Sequence, residues 1–598
     1  MAKDQSEHIS FLHILANSGQ SSGGHTALLI GNKVYHFQYN FNDKILHLMR
    51  DPWEEFRFHY TVWENRSIRL FELGIPNEAK DKFKSLWDEA YLIQRKWIEN
   101  LEDLKSDAAF ITYLNSFGEN ELGSYPISGL GYFNLEKNAE KNRHEFSVDE
   151  FQKMQEDLAR LNQASLDFSK LSAQNEKFFE SVEIEDKSEL NVTPPIKYNS
   201  LFKLWEEKEQ KKFVREFLIS GKSFDPSAFL ILNHREEFAL QENDKVHLNS
   251  VYESLHNQLR SCLIIENKCN GMEEIVLLVR RHAIEESLKT GYFVVPKKAI
   301  YNPFYYADTE EIPDEVLEQK KIESIRLFHS AKKQFLESSG DFVFAEWEKD
   351  MAKIDSLQRK KFDIVSFEPY PSLPGNRELK TKTSFPFANR ELLGSKLKQK
   401  GEYEKLVQKI YPYHIILQNC TGEIFRYHNQ FYRDENDQKF IFGGTISEKT
   451  SSFSFIPFLA AYKVRNQFRV IKEKEILSFR LQKLNSENVS TIKRRSEDIV
   501  PLSSYYQKNP YDQEFFFFTD DTVALRPIYG LTNIMWGLGH TTVGIFTLPW
   551  DRGKKFTNGA KSIFFSFPEV FFFNIRKGYF PYVTEKDLPA SYYEKVYE

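Results

Sequence analysis

Three residues of this chain could perform nucleophilic chemistry together: a cysteine, Cys420, and two histidines far upstream, His25 and His36. A cysteine attacks as its thiolate and needs a base that takes the thiol proton, and a third polar group orients that base. The chain has only three cysteines, and an odd cysteine is a candidate reactive thiol. If the fold brings the three side chains together, the sequence predicts a Cys-His enzyme.

The residues around Cys420 favour a helix that begins near Thr421. A thiol at a helix N-terminus faces backbone N–H groups and the positive end of the helix dipole, which stabilise the thiolate and lower its pKa. Asn419 either caps this helix or offers an amide donor to an oxyanion. The alternative is an inert cysteine in the core, because cysteine is among the most buried residue types.

The two histidines lie on a predicted β-hairpin whose turn is Gly31-Asn32. With a two-residue turn, His25 and His36 are diagonal neighbours on one face of the hairpin, whereas a three-residue turn places them on opposite faces. His25 is the better candidate base because it stands at the open end of its strand, and His36 or Gln38 would orient it. For each histidine the alternative is a polar side chain on a half-buried sheet.

Composition and motifs exclude several classes of protein. The 598 residues are 41% hydrophobic and 15% aromatic, which argues against global disorder, and the net charge of −6 argues against a nucleic-acid binder. No apolar run reaches the roughly 18 residues that predict a transmembrane helix. The chain has no Cys-x-x-Cys pair and no His-Glu-x-x-His motif, so neither a metal nor a cofactor is predicted. Cys262 and Cys269 form either a local disulfide or a pair of structural thiols.

The patterns along the chain predict four segments. Residues 1–105 combine strand-like segments, including the aromatic run Phe56–Tyr60, with an amphipathic helix. Residues 106–400 form a mainly helical insertion, and residues 401–500 carry the cysteine. Residues 501–598 are rich in Phe and in turn signals, and this pattern predicts a β-rich region.

The C-terminal segment adds two further interpretations. Its Phe runs are typical of buried strands, with membrane contact as the alternative. His540, in a glycine-rich stretch, is an alternative base for Cys420, against the simpler interpretation of a loop or strand histidine. The N-terminus lacks a signal-peptide pattern, so the protein is either cytoplasmic or has lost a signal peptide and gained a start Met.

The chain resembles the lacto-N-biosidase N-terminal periplasmic domain family, a bacterial envelope family. The resemblance covers about 200 residues in separated blocks, and it rests on Gly24–Phe37, Arg69–Pro76 with the helix after it, Tyr413–Cys420 and Pro568–Gly578. The same order, histidines first and Asn-Cys last, is similar to circularly permuted papain-like enzymes, which include NlpC-type peptidases and the lecithin:retinol acyltransferase group.

The resemblance implies an α+β fold, with a circularly permuted papain-like core, the large helical insertion and the β-rich C-terminal region. It implies that Cys420 is the nucleophile, His25 the base and His36 the third polar member, and that the protein is periplasmic or secreted. The chain departs from the family in one respect: roughly 300 residues separate the amphipathic helix from the Asn-Cys motif. The insertion would then shape substrate access or bind a protein or glycan partner.

Three functions are compatible with these patterns. The first is a cysteine hydrolase or acyltransferase of the cell envelope, for which the resemblance implies peptidoglycan peptides or amides and, second, lipid acyl groups. The second is a non-catalytic envelope scaffold that binds a partner through the insertion. The third, a glycosidase, rests on the family's name, since no acidic pair stands out among the 86 Asp and Glu residues.

Overall fold

The fold was described from a computed structural model of the chain. The structure describes residues 8–15, 24–116, 123–134, 146–163, 175–180, 196–233, 235–297, 314–337, 341–358, 377–381, 390–414, 418–486, 489–508, 514–519, 523–572, 577–578 and 580.

The described residues form the following main strands and helices. The strands are β1 (Ile9–Ile14), β2 (His25–Ile30), β3 (Lys33–Asn40), β4 (Ile45–Pro52), β5 (Ile68–Leu73), β6 (Gly123–Ile127), β7 (Phe229–Ile231), β8 (Val294–Pro296), β9 (Arg377–Thr381) and β10 (Val470–Ile476). The helices are α1 (Trp53–Phe58), α2 (Asn77–Leu114), α3 (Val148–Gln163), α4 (Leu201–Ser220), α5 (Glu242–Ile264), α6 (Gly271–Thr290), α7 (Asp314–Glu337), α8 (Asp341–Gln358), α9 (Arg390–Ile410), α10 (Cys420–Phe431), α11 (Glu435–Phe442), α12 (Pro457–Gln467), α13 (Phe479–Ser486), α14 (Thr491–Ser496), α15 (Arg526–Asp551) and α16 (Lys554–Ser566).

These elements form two compact units. The first comprises the described residues of 1–99 and 402–598, and the second those of 100–183 and 196–401. The sequence patterns predicted the corresponding boundaries after residues 105 and 400. The boundaries of the units fall within α2 and α9, where helical periodicity continues without a break and gives no sequence signal of a new unit.

The first unit is built on a six-stranded antiparallel sheet in the order β10-β5-β1-β2-β3-β4. The pairing of β2 with β3 sets Ile30 opposite Lys33, so Gly31-Asn32 is the predicted two-residue turn. Gly31 has φ 61°, a left-handed conformation that glycine adopts without steric cost. This register confirms that His25 and His36 lie on one face of the hairpin.

One face of the sheet packs against α2, which leads into the second unit in sequence, and α10, which follows it. Trp87 of α2 is fully buried, and its ring centroid lies 6.3 Å from that of Phe37 on β3 and 5.7 Å from that of Tyr427 on α10. Phe11 of the central strand β1 stacks on Phe425 of α10 at 5.9 Å. The apolar face of α10 is therefore held against the middle of the sheet, and it fixes where that helix begins.

The other face of the sheet is covered by α1 and a short π-helix, His59–Trp63. The aromatic run Phe56–Tyr60 was predicted to be strand-like, and this prediction was wrong. In the structure the run spans the end of α1 and the start of the π-helix. Because Phe56 and Tyr60 are four residues apart, the helical backbone places both on the side that covers the sheet, where their rings lie 4.6 Å apart.

The second unit is mainly helical, with two small two-stranded sheets, β6-β9 and β7-β8. Its core lies between α4, α5, α6, α7 and α8 and includes many aromatic residues. A buried ion pair joins Arg215 of α4 to Glu274 of α6, and Arg215 also donates to Asp157 of α3 at 2.7 Å. A disulfide between Cys262 and Cys269 closes the α5–α6 connection, with the Cα atoms 5.2 Å apart.

The C-terminal region contradicts its prediction. Residues 501–598 were expected to be β-rich, yet the described part forms two helices, α15 and α16, with short 3₁₀ turns. The stretches that indicated turns, Gly537–His540 and Pro549–Gly553, lie inside α15 and at its end. Glycines one heptad apart permit close helix packing, and the sequence pattern was misinterpreted as a series of turns. None of the helices in the described ranges has the length and apolarity to cross a bilayer.

Burial of His428 predicts a measurable loss of stability in acid. Burial lowers the pKa of this α10 histidine from 6.5 to about 4, and its ring packs 4.1 Å from that of Phe442. The unfolded chain takes up a proton near 6.5 and the folded chain only near 4, so stability is lost as the pH falls through this window. From about pH 7 to about pH 5, the His428 contribution to the unfolding free energy should fall by about 2 kcal/mol.

The test is chemical denaturation of the wild type and of His428→Leu at both pH values. The leucine variant should lose about 2 kcal/mol less than the wild type on acidification, because its side chain does not titrate. An equal loss in the two proteins would contradict the assignment.

Candidate functional site: a Cys-His cluster at one end of the sheet

Cys420 is the first residue of α10, as the sequence predicted. Asn419 caps the helix, and its side-chain oxygen accepts hydrogen bonds from the N–H groups of Thr421 at 3.1 Å and Gly422 at 2.9 Å. Its amide nitrogen donates to the carbonyl of Phe455 at 2.9 Å. Of the two predicted roles for Asn419, these bonds favour the cap over the oxyanion donor. Cys420 is partly exposed and is the free cysteine of the chain.

The two histidines form a hydrogen-bonded chain that ends on a carboxylate. Nε2 of His25 lies 3.0 Å from Nδ1 of His36, and Nε2 of His36 lies 2.7 Å from the carboxylate of Asp51. Both imidazoles are buried, whereas Asp51 is about one-third exposed. In the β3–β4 pairing, Asp51 opposes Val34, two residues from His36, and therefore shares its face of the sheet.

The carboxylate determines the tautomers of both rings. An ionised carboxylate only accepts, so Nε2 of His36 carries a hydrogen and donates it. When both imidazoles are neutral, Nδ1 of His36 accepts from Nε2–H of His25. The acceptor of His25 is then Nδ1, the atom a general base would use. The arrangement Asp51–His36–His25 thus orients a proton acceptor at the start of β2.

A buried hydrogen bond joins the histidine strand to the cysteine helix. Thr26, next to His25, donates to the hydroxyl of Thr421, next to Cys420, at 3.0 Å. Both threonines are fully buried. The bond joins residues 395 positions apart, and it holds the first residue of α10 and the first residue of β2 at the same end of the sheet.

Tyr60 and Arg66 are further members of this cluster. The ring of Tyr60 stacks on that of His25 with centroids 5.9 Å apart, and the guanidinium of Arg66 lies 5.2 Å from the ring centre of Tyr60. Desolvation raises the pKa of Tyr60, Glu64 and then Cys420 add to the rise, and Arg66 opposes it. Arg66 donates to the carbonyl of Leu15 at 2.7 Å, which fixes its charge in place.

Burial shifts the two titrating groups in opposite directions. Desolvation raises the pKa of the Cys420 thiol, and the Thr421 hydroxyl, nearby N–H groups and Arg66 oppose this without overcoming it. Desolvation, with the neighbouring His36 as the next cause, holds the pKa of His25 well below 6.5. Near neutral pH the cluster therefore contains a thiol and an unprotonated imidazole rather than a thiolate–imidazolium pair. The expectation that the helix N-terminus lowers the pKa of the thiol was wrong, because desolvation is the larger effect.

The other predicted residues fall outside this cluster. Gln38 is exposed and pairs with His47 across β3 and β4. Of the two residues considered for orienting His25, His36 is the one bonded to it. His540, the alternative base, lies on α15 with its ring 5.2 Å from that of Trp536. Among the residues that the structure describes, no group of three or more His, Cys, Asp and Glu could hold a metal ion.

Sequence reasoning missed Asp51, Tyr60 and Arg66. Asp51 had a usable signal: a β3–β4 hairpin with the register observed here would have placed it diagonal to His36. Tyr60 and Arg66 had no such signal, because they reach the site from a π-helix and the segment after it, which the sequence did not predict.

Comparison with known proteins identifies no relative. No protein-family model matches the chain, and no similar curated protein or solved structure was found.

The Thr26–Thr421 bond gives a testable coupling. In Thr26→Val, the buried Thr421 hydroxyl loses the hydrogen bond that Thr26 donates and keeps only its contact with the Cys420 sulfur, so the unfolding free energy should fall by about 1–3 kcal/mol. In Thr26→Val/Thr421→Val both hydroxyls are replaced by apolar groups of the same shape, so the loss should be smaller than the sum of the single losses. Chemical denaturation of the wild type, the two single variants and the double variant measures the coupling.

Thr112→Val, whose hydroxyl donates within its own helix, is the control. Strict additivity of the two threonine variants would contradict a direct bond.

Proposed function

We propose that this protein is a cysteine hydrolase or acyltransferase in which Cys420 attacks an amide or ester carbonyl. The observation that supports this most strongly is the hydrogen-bonded chain from Asp51 through His36 to His25, held by the Thr26–Thr421 bond at the end of the sheet where α10 begins. Such a base, oriented by a further polar group, is what a cysteine nucleophile requires.

The proposed reaction has two halves. Nδ1 of His25 takes the thiol proton as the sulfur bonds to the carbonyl carbon, which gives a tetrahedral oxyanion. The carbon–nitrogen or carbon–oxygen bond then breaks, the leaving group takes the proton from His25, and a thioester on Cys420 remains. Water, or an alcohol or amine acceptor, attacks the thioester as His25 takes its proton, and the proton returns to the sulfur as the thiol is released.

The electrostatics favour proton transfer during attack over a preformed ion pair. His25 is unprotonated at neutral pH, since burial and His36 lower its pKa. The thiol is protonated, since desolvation raises its pKa. Arg66, which favours the thiolate, would stabilise the negative charge that develops on sulfur. The N–H groups of Thr421 and Gly422 are bonded to Asn419, so the N–H of Cys420 is the proposed backbone oxyanion donor.

A papain-like core and an envelope location belong to the same proposal. The arrangement of a helix that begins with cysteine, packed on an antiparallel sheet that carries the histidines, supports a circularly permuted papain-like core. The Cys262–Cys269 disulfide supports a periplasmic or secreted protein, because disulfides persist in oxidising compartments. On this basis peptidoglycan peptides or amides are the preferred substrates, and lipid acyl groups are second.

The second candidate is a non-catalytic scaffold, and one observation favours it. Desolvation of Cys420 raises the pKa of the thiol, which is typical of an inert core cysteine. In this case the mainly helical second unit would bind a protein or glycan partner, and the histidine chain would only stabilise the sheet.

Trapping the thioester distinguishes the two candidates. The full-length protein is mixed with a panel of amide and activated-ester substrates, cell-wall peptides and acyl esters among them, and the intact mass is followed after an acid quench. A catalytic cysteine gives an acyl adduct on Cys420 that is absent in Cys420→Ala. No adduct with any member of the panel, together with full biological activity of Cys420→Ala, would establish the scaffold.

Asp51→Asn tests the histidine chain separately. An amide can present its NH₂ group to His36 and reverse both tautomers, which turns Nδ1 of His25 from an acceptor into a donor. The rate of acylation should fall by about two to four powers of ten, the usual contribution of a general base, with little change in the stability of the fold. Asp43→Asn, on the same hairpin, is the control. An unchanged rate in Asp51→Asn would remove the carboxylate from the mechanism.

A further inference from the structure

The helical hairpin of α15 and α16 exposes large apolar side chains along its whole length. Of the 32 large hydrophobic residues exposed in the described part of the chain, 15 lie between Ile528 and Phe572. Phe546 is 73% exposed and Trp550 is 82% exposed. A patch of this size on a soluble surface marks an interaction site.

The seam between the two helices is lined by glycine. Gly537 and Gly544 are seven residues apart on α15, and a Cβ on Gly544 would lie within 2.2 Å of the backbone of Phe556 on α16. Gly530, seven residues before Gly537, packs in the same way against Glu569, in the 3₁₀ turn after α16. Gly559 of α16 contacts the α15 backbone around Thr541 in the same way. A hairpin that folds in water usually buries its large apolar residues in the seam. Here the small residues are inside and the large ones outside, which is the pattern of helices packed in lipid.

The exposed apolar residues surround most of α15 rather than forming one stripe. At 100° per residue from Gly537, Leu538 and Ile545 lie on one flank, Trp536 and Val543 lie on the other, and Phe546 lies opposite the seam. A leaflet can receive the whole of this broad apolar side, from one flank across to the other, while the seam faces α16.

The threonine hydroxyls of the hairpin are satisfied within it. The hydroxyls of Thr532, Thr541, Thr542 and Thr557 donate to backbone carbonyls four residues earlier. Thr547 donates to Asp551, and Asp551 also accepts from the N–H of Gly553. Hydroxyls bonded in this way need no water, so a bilayer can cover these threonines without leaving their donors unpaired.

The hairpin also has a charge that matches an anionic surface. Between Arg526 and Phe567 the chain has five Lys and Arg residues and one Asp, although the whole chain has a net charge of −6. Arg552, Lys554 and Lys555 are exposed at the tip of the hairpin, next to Trp550. Tryptophan and cations at a helix end are typical of the lipid headgroup layer.

We propose that the α15–α16 hairpin is a membrane-docking element that embeds its apolar surface in one leaflet of an anionic bilayer, with the basic tip among the phosphate headgroups. This inference is independent of the Cys-His cluster and stands whether or not Cys420 is catalytic.

Vesicle flotation of the full-length protein tests the proposal. Mixed phosphatidylcholine–phosphatidylglycerol vesicles should carry the protein to the top of a density gradient. Ile545→Asp/Phe546→Asp should lower the vesicle-bound fraction by about tenfold or more, because charges replace apolar contacts with lipid. The matched control is Phe440→Asp/Ile492→Asp, which places the same charges at two exposed apolar positions on other helices and should float like the wild type.

A second variant tests the basic tip. Arg552→Ser/Lys554→Ser/Lys555→Ser should weaken binding to anionic vesicles by about fivefold for each cation removed, and leave the weaker binding to pure phosphatidylcholine vesicles unchanged. The fluorescence of Trp550 is the difference between the emission of the wild type and that of Trp550→Phe. Brominated lipids should quench this contribution.

Two results would overturn the proposal. One is wild-type protein that remains at the bottom of the gradient with both kinds of vesicle. The other is a wild-type protein that forms a stable dimer and does not bind vesicles, together with dissociation of that dimer by Ile545→Asp/Phe546→Asp. The hairpin would then pack against a second copy of the chain.

Discussion

The candidate site depends on one buried hydrogen bond, between the hydroxyls of Thr26 and Thr421. Aromatic packing of α10 on the sheet, through Phe11 against Phe425 and Phe37 against Tyr427, sets the orientation of the helix. The hydrogen bond between two fully buried hydroxyls favours a single register, since a shift would break it at a cost of about 1–3 kcal/mol. It thereby aligns the start of the cysteine helix with the start of the histidine strand.

The same burial that fixes the geometry determines the protonation states. Desolvation penalises any charge, so it holds the imidazole of His25 unprotonated and the thiol of Cys420 protonated. A preformed ion pair would need more compensation than Arg66 and the helix N-terminus supply. In the proposed reaction a neutral pair needs no such compensation until Cys420 attacks the substrate, because charge then develops on sulfur and imidazole together. The proposed mechanism would thus differ from that of cysteine enzymes that rest as an ion pair.

The sequence predicted those parts of the site that depend on local rules. The Gly31-Asn32 turn fixes the register of the hairpin, and the Asn419 cap fixes the start of α10, and both are set by neighbouring residues. The position of Asp51 could have been predicted in the same way from the register of the β3–β4 hairpin. The positions of Tyr60 and Arg66 could not, because they depend on how a π-helix packs on the sheet, and packing depends on segments far apart in the sequence. The C-terminal region was mispredicted for a related reason: glycines that pack two helices together resemble glycines that form turns.

The central claim is that His25 is the base for Cys420, and the pH dependence of alkylation at Cys420 tests it most directly. With Cys262 and Cys269 in a disulfide, a haloacetamide labels Cys420 alone in the unreduced protein. The account predicts that labelling of the wild type rises with deprotonation of His25, below pH 6.5, and is then level through neutral pH. In His25→Ala the rate at neutral pH should be lower by about a hundredfold or more and should rise only as the thiol itself ionises, while His247→Ala, in the second unit, behaves as the wild type. Identical rates and identical pH profiles in wild type and His25→Ala would contradict the account.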